Sequence, residues 1–208
     1  MKIHDLTLQV RNGRRGITIT KKTSSKVEGY NTTDLLLYSH SGTHLDAPLH
    51  FLDDGATLDT MPLEKCVGPA MVIDLTHKAP NSLITVEDLA HVADQIQAQS
   101  RVLLRTDWDS KADDPEYRTS FPRISLELAE WLAEKEIWLI GLEHPSVASL
   151  QDKEELTAVH QALLKKEIVI VESLANLRKL PPHVTFIALP LKVKDGDGSP
   201  VRAIAIEQ

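Results

Sequence analysis

The sequence has almost no cysteine, no excess of basic residues and no long hydrophobic run. Cys66 is the only cysteine, so an intramolecular disulfide and a thiolate cluster for zinc or iron–sulfur are both excluded. The net charge of -7 gives no attraction to nucleic acid or to an anionic membrane. Residues 1–8 lack the apolar segment of a signal peptide, and apolar runs such as 168–171 are too short to cross a bilayer. We therefore expect a cytoplasmic protein without nucleic-acid or membrane partners, in which imidazole and carboxylate groups hold any metal.

Strand and helix patterns alternate through the middle of the chain. Helical periodicity is found at about 86–98, after Ser125 and at about 153–166. Short β-branched or continuously apolar runs predict strands at 35–38, 71–75, 102–104, 137–140, 168–171, 184–189 and 201–206. Since the 208 residues contain no repeat or linker, we predict a single α/β domain over residues 1–208, with a mixed, partly parallel sheet and flanking helices.

Three of the nine histidines are packed into one short segment, His40-Ser-Gly-Thr-His44-Leu-Asp46-Ala-Pro-Leu-His50. On a helix Asp46 would point about 200° away from His44, because each residue advances the helix by about 100°. In an extended chain the even positions 40, 44, 46 and 50 all project to one side. The glycine and the proline of the segment also disfavour a helix. We therefore predict an extended, locally kinked segment that presents three imidazoles and one carboxylate to one site.

Two imidazoles and a carboxylate suit a divalent ion such as Zn2+, Mn2+ or Fe2+, which in a catalytic site keeps an open position for water. The alternative is three unrelated histidines in a surface loop or in a hydrogen-bonded network. His160 lies in the apolar register of the third predicted helix, so it points towards the core as a hydrogen-bonded residue or as a ligand. Glu172 directly follows the apolar run 168–171. An unpaired carboxylate there would be costly unless a metal or an arginine compensates it.

The segment from His40 to Phe51 matches without a gap the H-x-G-T-H-x-D-x-P-x-H-F signature of a known family. The chain resembles the cyclase-like metal-dependent hydrolases, which include bacterial kynurenine formamidase and isatin hydrolase. Further matches follow in the family's order, at 103–108, 121–122, 141–147, the His160 and Glu172 pair, 190–192 and 198–202. The resemblance spans almost the whole chain and implies the swivelling β/β/α-like cyclase fold.

The same resemblance implies a metal site and a reaction. The residues that would hold one or two divalent ions are His40, His44, Asp46, His160 and Glu172. The two carboxylates would bridge the ions, and His50 would be the proton donor and acceptor. Activated water would then cleave a C–N amide bond of a small molecule, either an aryl formamide such as N-formylkynurenine or a cyclic amide. We expect zinc as the metal, with manganese as the alternative, and a homodimer or homotetramer.

The substrate is less constrained than the metal. Formamidases of this family place an aromatic residue, often Trp, in the N-terminal segment, whereas residues 6–27 contain no aromatic residue here. An aryl substrate is therefore in question, and no substrate-binding residue is assigned. Two alternatives stay open: a metal-dependent lyase or cyclase acting on a polyketide-like or hydroxy-acid substrate, and a non-catalytic protein whose ions only stabilise the fold.

Overall fold

The computed structural model describes residues 1–207. The strands in this part of the chain are β1 (Lys2–Asp5), β2 (Ile17–Thr23), β3 (Thr32–Leu37), β4 (His44–Asp46), β5 (Val67–Asp74), β6 (Leu83–Ile84), β7 (Arg101–Arg105), β8 (Arg123–Ile124), β9 (Leu139–Leu142), β10 (Val169–Glu172), β11 (His183–Ile187), β12 (Gly198–Pro200) and β13 (Ile204–Glu207). The α-helices are α1 (Leu126–Glu134) and α2 (Lys153–Leu164). Short 3-10 helices lie at Pro48–His50, Leu58–Thr60, Leu63–Cys66, Glu87–Val92, Trp108–Lys111, Pro115–Arg118 and Leu177–Lys179. Within residues 1–207, no helix has both the length and the apolar character needed to span a membrane.

Nine strands form one sheet in the order β1-β13-β11-β5-β7-β9-β10-β4-β12. The central strands β5, β7, β9 and β10 are parallel, and antiparallel strands extend the sheet on both sides. Every residue of β9 and β10 is buried, which explains their apolar sequences, because a parallel strand is covered on both faces. The predicted mixed, partly parallel sheet with flanking helices is confirmed. The hairpin β2–β3 and the pair β6–β8 form separate two-stranded sheets.

The two α-helices cover one face of the large sheet. Ser125 caps α1 by accepting a hydrogen bond from the Leu128 amide at 3.0 Å. Asp152 caps α2 through one carboxylate oxygen, which accepts from two amides of the first turn at 2.9 and 3.0 Å. The apolar stripes of both helices join the sheet in one hydrophobic core, which includes Leu128, Leu132, Val159, Leu163, Ile140 and Ile170. The predicted helices after Ser125 and at 153–166 are confirmed, and α2 carries His160.

The other face of the sheet encloses a second core. Alternate residues of the central strands point into it, Leu103 and Val171 among them. Leu45 of β4 and Ala205 of β13 also belong to this core, although their strands lie near opposite ends of the strand order. The sheet therefore curls around the second core. Strand β4 lies between β10 and β12 and is hydrogen-bonded on both sides, so its backbone is firmly fixed.

The helix predicted at 86–98 is wrong in type. A 3-10 helix covers Glu87–Val92, and turns follow it. Backbone hydrogen bonds join residues three apart, for example Leu89 N to Val86 O at 3.0 Å. Leu89 and Ile96 are fully buried. Over so short a segment, the spacing of apolar residues does not distinguish three residues per turn from 3.6.

Candidate metal centre

Strand β4 delivers two of the predicted ligands to one face. His44 pairs in register with Glu172 of β10, and Asp46 pairs with Ile170. Since side chains alternate along a strand, His44 and Asp46 share a face while Leu45 points into the second core. The two carboxylates and His44 are all buried, with Asp46 only 1% exposed. The extended backbone predicted from the even spacing is confirmed for residues 44–46.

His40 reaches the same place through a tight turn. Gly42 adopts a φ of +62°, in the left-handed region that glycine tolerates. His40 Nδ1 then lies 2.7 Å from Asp46 Oδ1. Its ring lies against Gly198 of β12, where a Cβ atom would come within 2.7 Å of His40 Cε1. A side chain at position 198 would therefore displace the imidazole.

His50 also faces the cluster, but not on an extended chain. Pro48 begins the 3-10 helix that ends at His50, because its fixed φ suits the first position of a helical turn. The His50 ring stacks on His40 with 3.7 Å between ring centroids. His50 Nδ1 is 3.7 Å from Asp197 Oδ2, beyond hydrogen-bond distance. The side chain is 24% exposed, so this imidazole opens towards the cavity beside the cluster.

His160 completes the cluster from helix α2. Its Nε2 lies 3.6 Å from Glu172 Oε1 and 3.9 Å from Asp46 Oδ2. The ring of Phe51 stacks on His160 at a centroid separation of 4.1 Å. All six sequence-predicted residues, from His40 to Glu172, are thus brought together, although more than a hundred positions separate the two parts of the chain that supply them.

The protonation of two imidazoles is set by backbone carbonyls. His44 Nδ1 lies 2.8 Å from the Gly42 carbonyl oxygen, and His160 Nδ1 lies 2.7 Å from that of Leu156. A carbonyl oxygen only accepts, so each Nδ1 donates, and each Nε2 of a neutral ring presents a lone pair. Metal-bound histidines are typically oriented in this way.

Those lone pairs face the carboxylates at distances that suit a shared cation. His44 Nε2 is 3.5 Å from Asp46 Oδ1 and 3.4 Å from Glu172 Oε2. Two ligand atoms bound tetrahedrally to one ion at ~2.1 Å are about 3.4 Å apart. Asp46 Oδ2 is buried and has no hydrogen-bond partner within residues 1–207, which a buried carboxylate oxygen rarely tolerates. The residues therefore fit a divalent metal, and Asp46 is shared by both metal-like groupings, His40–Asp46–His50 and His44–Asp46–Glu172.

The charges of the cluster are strongly interdependent. Burial raises the pKa of Glu172, but the neighbouring imidazoles of His160 and His44 outweigh burial and hold that pKa well below its usual range. Burial lowers the pKa of His40, but the hydrogen bonds that His40 donates to Asp46 and Asp197, together with the charges of these carboxylates, raise it to about 9. Protons on the imidazoles thus balance the buried carboxylates, and a bound cation would replace them.

Asp197 is a site residue that the sequence did not reveal. It precedes β12, and its Oδ2 lies 2.8 Å from His40 Nε2. His40 is therefore held by a carboxylate at each ring nitrogen, unlike His44 and His160. Asp197 lies between two glycines in a polar loop and has no periodic signal. The only signal for Asp197 in the sequence is that it directly precedes the matched segment 198–202.

Two adjoining cavities lead to the cluster. The smaller has a volume of about 190 Å³ and is lined by His50, His160 and Glu172, together with the rings of Tyr38 and Phe51. The larger has a volume of about 520 Å³ and shares four lining residues with the smaller, namely Arg15, His40, His44 and Arg118. Tyr38 and Phe51 supply the aromatic surface that residues 6–27 lack.

Comparison with known proteins agrees with this geometry. The model of the Cyclase family matches residues 4–149, more than half of the chain. The chain belongs to the Cyclase family. Among the curated relatives of this Cyclase-family chain, a kynurenine formamidase from Bacillus mycoides is 36% identical over 90% of the chain and 84% of the relative.

Solved structures of similar proteins cover nearly the whole Cyclase-family chain. Isatin hydrolase A from Ralstonia solanacearum superimposes with a TM-score of 0.89 and 26% identity, covering 99% of this chain and 92% of the other. A protein from Bacillus stearothermophilus described as a predicted metal-dependent hydrolase gives a TM-score of 0.81 and 29% identity, covering 98% of this chain and 97% of the other. These structures have the same large mixed sheet with few helices, which confirms the fold class.

Proposed function

We propose that this Cyclase-family chain is a metal-dependent hydrolase that cleaves a C–N amide bond of a small molecule. The observation that carries the proposal is Asp46 Oδ2, which is buried without a hydrogen-bond partner among residues 1–207. It lies 3.9 Å from Nε2 of His160, which lines an open cavity. The kynurenine formamidase and isatin hydrolase relatives favour amide chemistry at this place. The substrate class is an aryl formamide, such as N-formylkynurenine, or a cyclic amide.

The residues that would hold the metal are His40, His44, Asp46, His160 and Glu172. A divalent ion supplies Lewis acidity, which polarises a carbonyl group and acidifies water. Zinc suits imidazole and carboxylate ligands, and manganese is the alternative. His44 and His160 are oriented to bind through Nε2, and His40 must first give up the proton that it shares with two carboxylates. Of the two groupings that share Asp46, His44–Asp46–Glu172 consists entirely of these proposed ligands, and metal analysis would show whether one ion or two are bound.

His50 is the proton-transfer group in this proposal. It lines the small cavity, is partly exposed, and its ring is held by stacking on His40 rather than by a hydrogen bond. It is therefore free to accept a proton from the attacking water and to donate one to the leaving amine. Tyr38 and Phe51 would pack against the flat part of the substrate.

The test is turnover of aryl formamides and lactams by protein supplied with Zn2+ or Mn2+, together with a His50→Ala variant. We expect wild-type activity to depend on metal, and His50→Ala to lose about 100-fold or more in kcat because general acid–base catalysis contributes that much. The metal content of the variant should stay unchanged. His91→Ala, at an exposed histidine of the 3-10 helix Glu87–Val92, is the matched control. Equal activity of wild type and His50→Ala, or no metal-dependent turnover of any substrate, would contradict the proposal.

A further inference from the structure

Two arginines beside the candidate metal centre have no ion-pair partner among residues 1–207. Arg118, the last residue of the 3-10 helix Pro115–Arg118, and Arg15, in the loop before β2, line both cavities. Within residues 1–207, neither guanidinium makes an ion pair or a hydrogen bond to a side chain. By contrast, Arg11 and Arg14, which line only the larger cavity, both pair with Asp113. The two unpaired arginines are thus the ones that reach the cavity of His50 and His160.

Partial burial makes the unpaired guanidinium of Arg118 unfavourable without a ligand, whereas Arg15 is exposed. Arg118 is half-buried, and burial, followed by the positive charge of Arg15, lowers its pKa. Arg15 is held over the ring of Tyr38, with 4.9 Å between its Cζ and the ring centroid, so its position is fixed although it has no acidic partner. Glu172, a proposed metal ligand, acts on Arg118 through its charge alone, and within the described part of the chain no carboxylate forms an ion pair with either guanidinium. A cation that is taken out of water is normally paired, and the unpaired guanidinium of Arg118 lines both cavities.

We propose that Arg118 and Arg15 form a subsite for a carboxylate carried by the substrate. This proposal rests on the proposed function and narrows it, because the substrate would be an amide that bears a carboxylate rather than a neutral lactam. A guanidinium presents donors in a planar fork that matches the two oxygens of a carboxylate. The negative charges of Asp46, Glu172 and Asp197 would repel an anionic substrate. The two positively charged guanidinium groups at the cavity wall would attract its carboxylate and hold it away from these residues. Arg118 and Arg15 are specificity residues in this arrangement.

An equilibrium measurement tests the subsite without turnover. Benzoate and its neutral counterpart benzamide are titrated into zinc-loaded protein by calorimetry. We expect the wild type to bind benzoate at least tenfold more tightly than benzamide. Arg118→Gln should weaken benzoate binding by about 10- to 100-fold, the usual effect of losing one hydrogen-bonded ion pair. Arg118→Lys should restore part of the preference, because it keeps the charge without the fork.

Arg11→Gln is the matched control, since Arg11 is another arginine of the larger cavity but is paired with Asp113. It should leave benzoate binding unchanged. Equal affinity of the wild type for benzoate and benzamide would overturn the proposal. Unchanged benzoate binding in Arg118→Gln would also overturn it, because the carboxylate would then be bound by the metal instead. Zinc content and thermal unfolding of each variant verify that the fold and the metal centre are intact.

Kinetics separates the subsite from the proposed reaction. The ratio of kcat/KM for N-formylkynurenine to that for its neutral carboxamide should fall by about tenfold or more in Arg118→Gln, mainly through KM. A ratio that stays at the wild-type value contradicts the subsite. If the wild type hydrolyses neither compound but prefers benzoate to benzamide through Arg118, the amide proposal fails while the anion subsite stands.

Discussion

The partners of each imidazole determine how it can act. His44 and His160 donate to backbone carbonyls and so keep one lone pair directed at the buried carboxylates. His40 lies between Asp46 and Asp197 and binds a carboxylate at each ring nitrogen. In their neutral forms the first two are therefore oriented as ligands. Burial lowers the pKa of His44, but Glu172 and Asp46 raise it, so His44, like His40, exchanges a proton for a metal when it binds one. A metal titration should accordingly release protons.

Glu143 is a second buried acid, and the proposed mechanism does not use it. It follows β9 and is fully buried. Its Oε2 accepts from the Thr106 amide at 2.8 Å, while Oε1 has no partner within residues 1–207. Burial and the nearby charges of Asp109 and Asp107 raise its pKa to about 8, although the Thr106 amide acts in the opposite direction. Glu143 is thus mainly protonated in the folded protein at neutral pH.

The raised pKa of Glu143 predicts that the free energy of unfolding depends on pH. The pKa of Glu143 in the unfolded chain is near 4.5, so its contribution to stability is complete below that pH and is lost as pH rises towards 8. Glu143→Gln removes this loss, because the amide keeps the shape without a charge. We expect the variant to resemble the wild type near pH 5 and to be more stable, by as much as a few kcal/mol, near pH 8.5. Urea unfolding at several pH values measures the difference.

Glu130→Gln is the control for this experiment, because Glu130 is exposed on α1. It should change stability little at any pH in this range. The result that contradicts the prediction is a Glu143→Gln variant whose stability relative to wild type does not vary between pH 5 and pH 8.5. Metal is kept in excess in all samples, so that titration of the metal centre affects the wild type and the variants equally.

At the scale of elements, α2 positions His160 close to Asp46 of β4, with 3.9 Å between Nε2 and Oδ2. The helix begins at Asp152, whose carboxylate accepts from the amides of Glu154 and Glu155. Its buried stripe, with Val159 and Leu163, packs in the hydrophobic core between the helices and the large sheet. His160 is next to Val159 on this buried side of the helix, so the packing of the apolar neighbours fixes the position of His160. The cap should therefore contribute to the stability of the fold more than to the metal centre.

Asp152→Ala tests this division. Loss of an N-cap costs about 0.5–2 kcal/mol, and we expect that decrease in the free energy of unfolding measured with urea. Zinc affinity should change less than threefold, because residues 156–164 remain packed. Asp152→Asn, which keeps a capping oxygen, should retain most of the stability. A large loss of zinc affinity in Asp152→Ala would instead show that the cap holds His160 in place.

The site residues that could be predicted are those whose spacing along the sequence matches the period of a strand or a helix. The even positions of β4 and the register of His160 on α2 follow from the periods of a strand and a helix. The 3-10 helix that carries His50 was not predicted, because a turn of three residues leaves no periodic pattern. Asp197, Arg15 and Arg118 were missed for another reason: they meet the site only through the folding of distant loops. Their residue types alone are ordinary for a solvated surface.

At the scale of the whole molecule, the curled sheet brings the metal centre together. Strand β4 is inserted between β10 and β12, so residues near 44, 172 and 198 become neighbours. Most of the strand order could not be predicted from the sequence, because apolar runs predict where strands lie but not which strands pair. Association into a homodimer or homotetramer and a cytoplasmic location remain predictions. The carboxylates of Asp46 and Glu172 are buried within this fold, so the stability of the whole molecule should depend on what neutralises their charge.

Removal of metal should destabilise the entire fold. A ligand that binds only the folded state stabilises it by about 4 kcal/mol when its concentration is a thousand times Kd. For a chain of this size, 1 kcal/mol corresponds to about 2–4 °C in Tm, so chelation should lower Tm by about 8–16 °C. Zinc added back should restore Tm, and metal analysis of the untreated protein gives the number of ions per chain.

The variant Asp46→Asn is the control for chelation, because Asp46 is the residue shared by both metal-like groupings. Its Tm should no longer respond to zinc or to chelator. A wild-type Tm that is the same with chelator and with zinc would contradict the assignment of these residues as a metal centre. In that case protons on His40 and His44 would be sufficient to balance Asp46 and Glu172, and the cluster would be a buried ion-pair network without a metal.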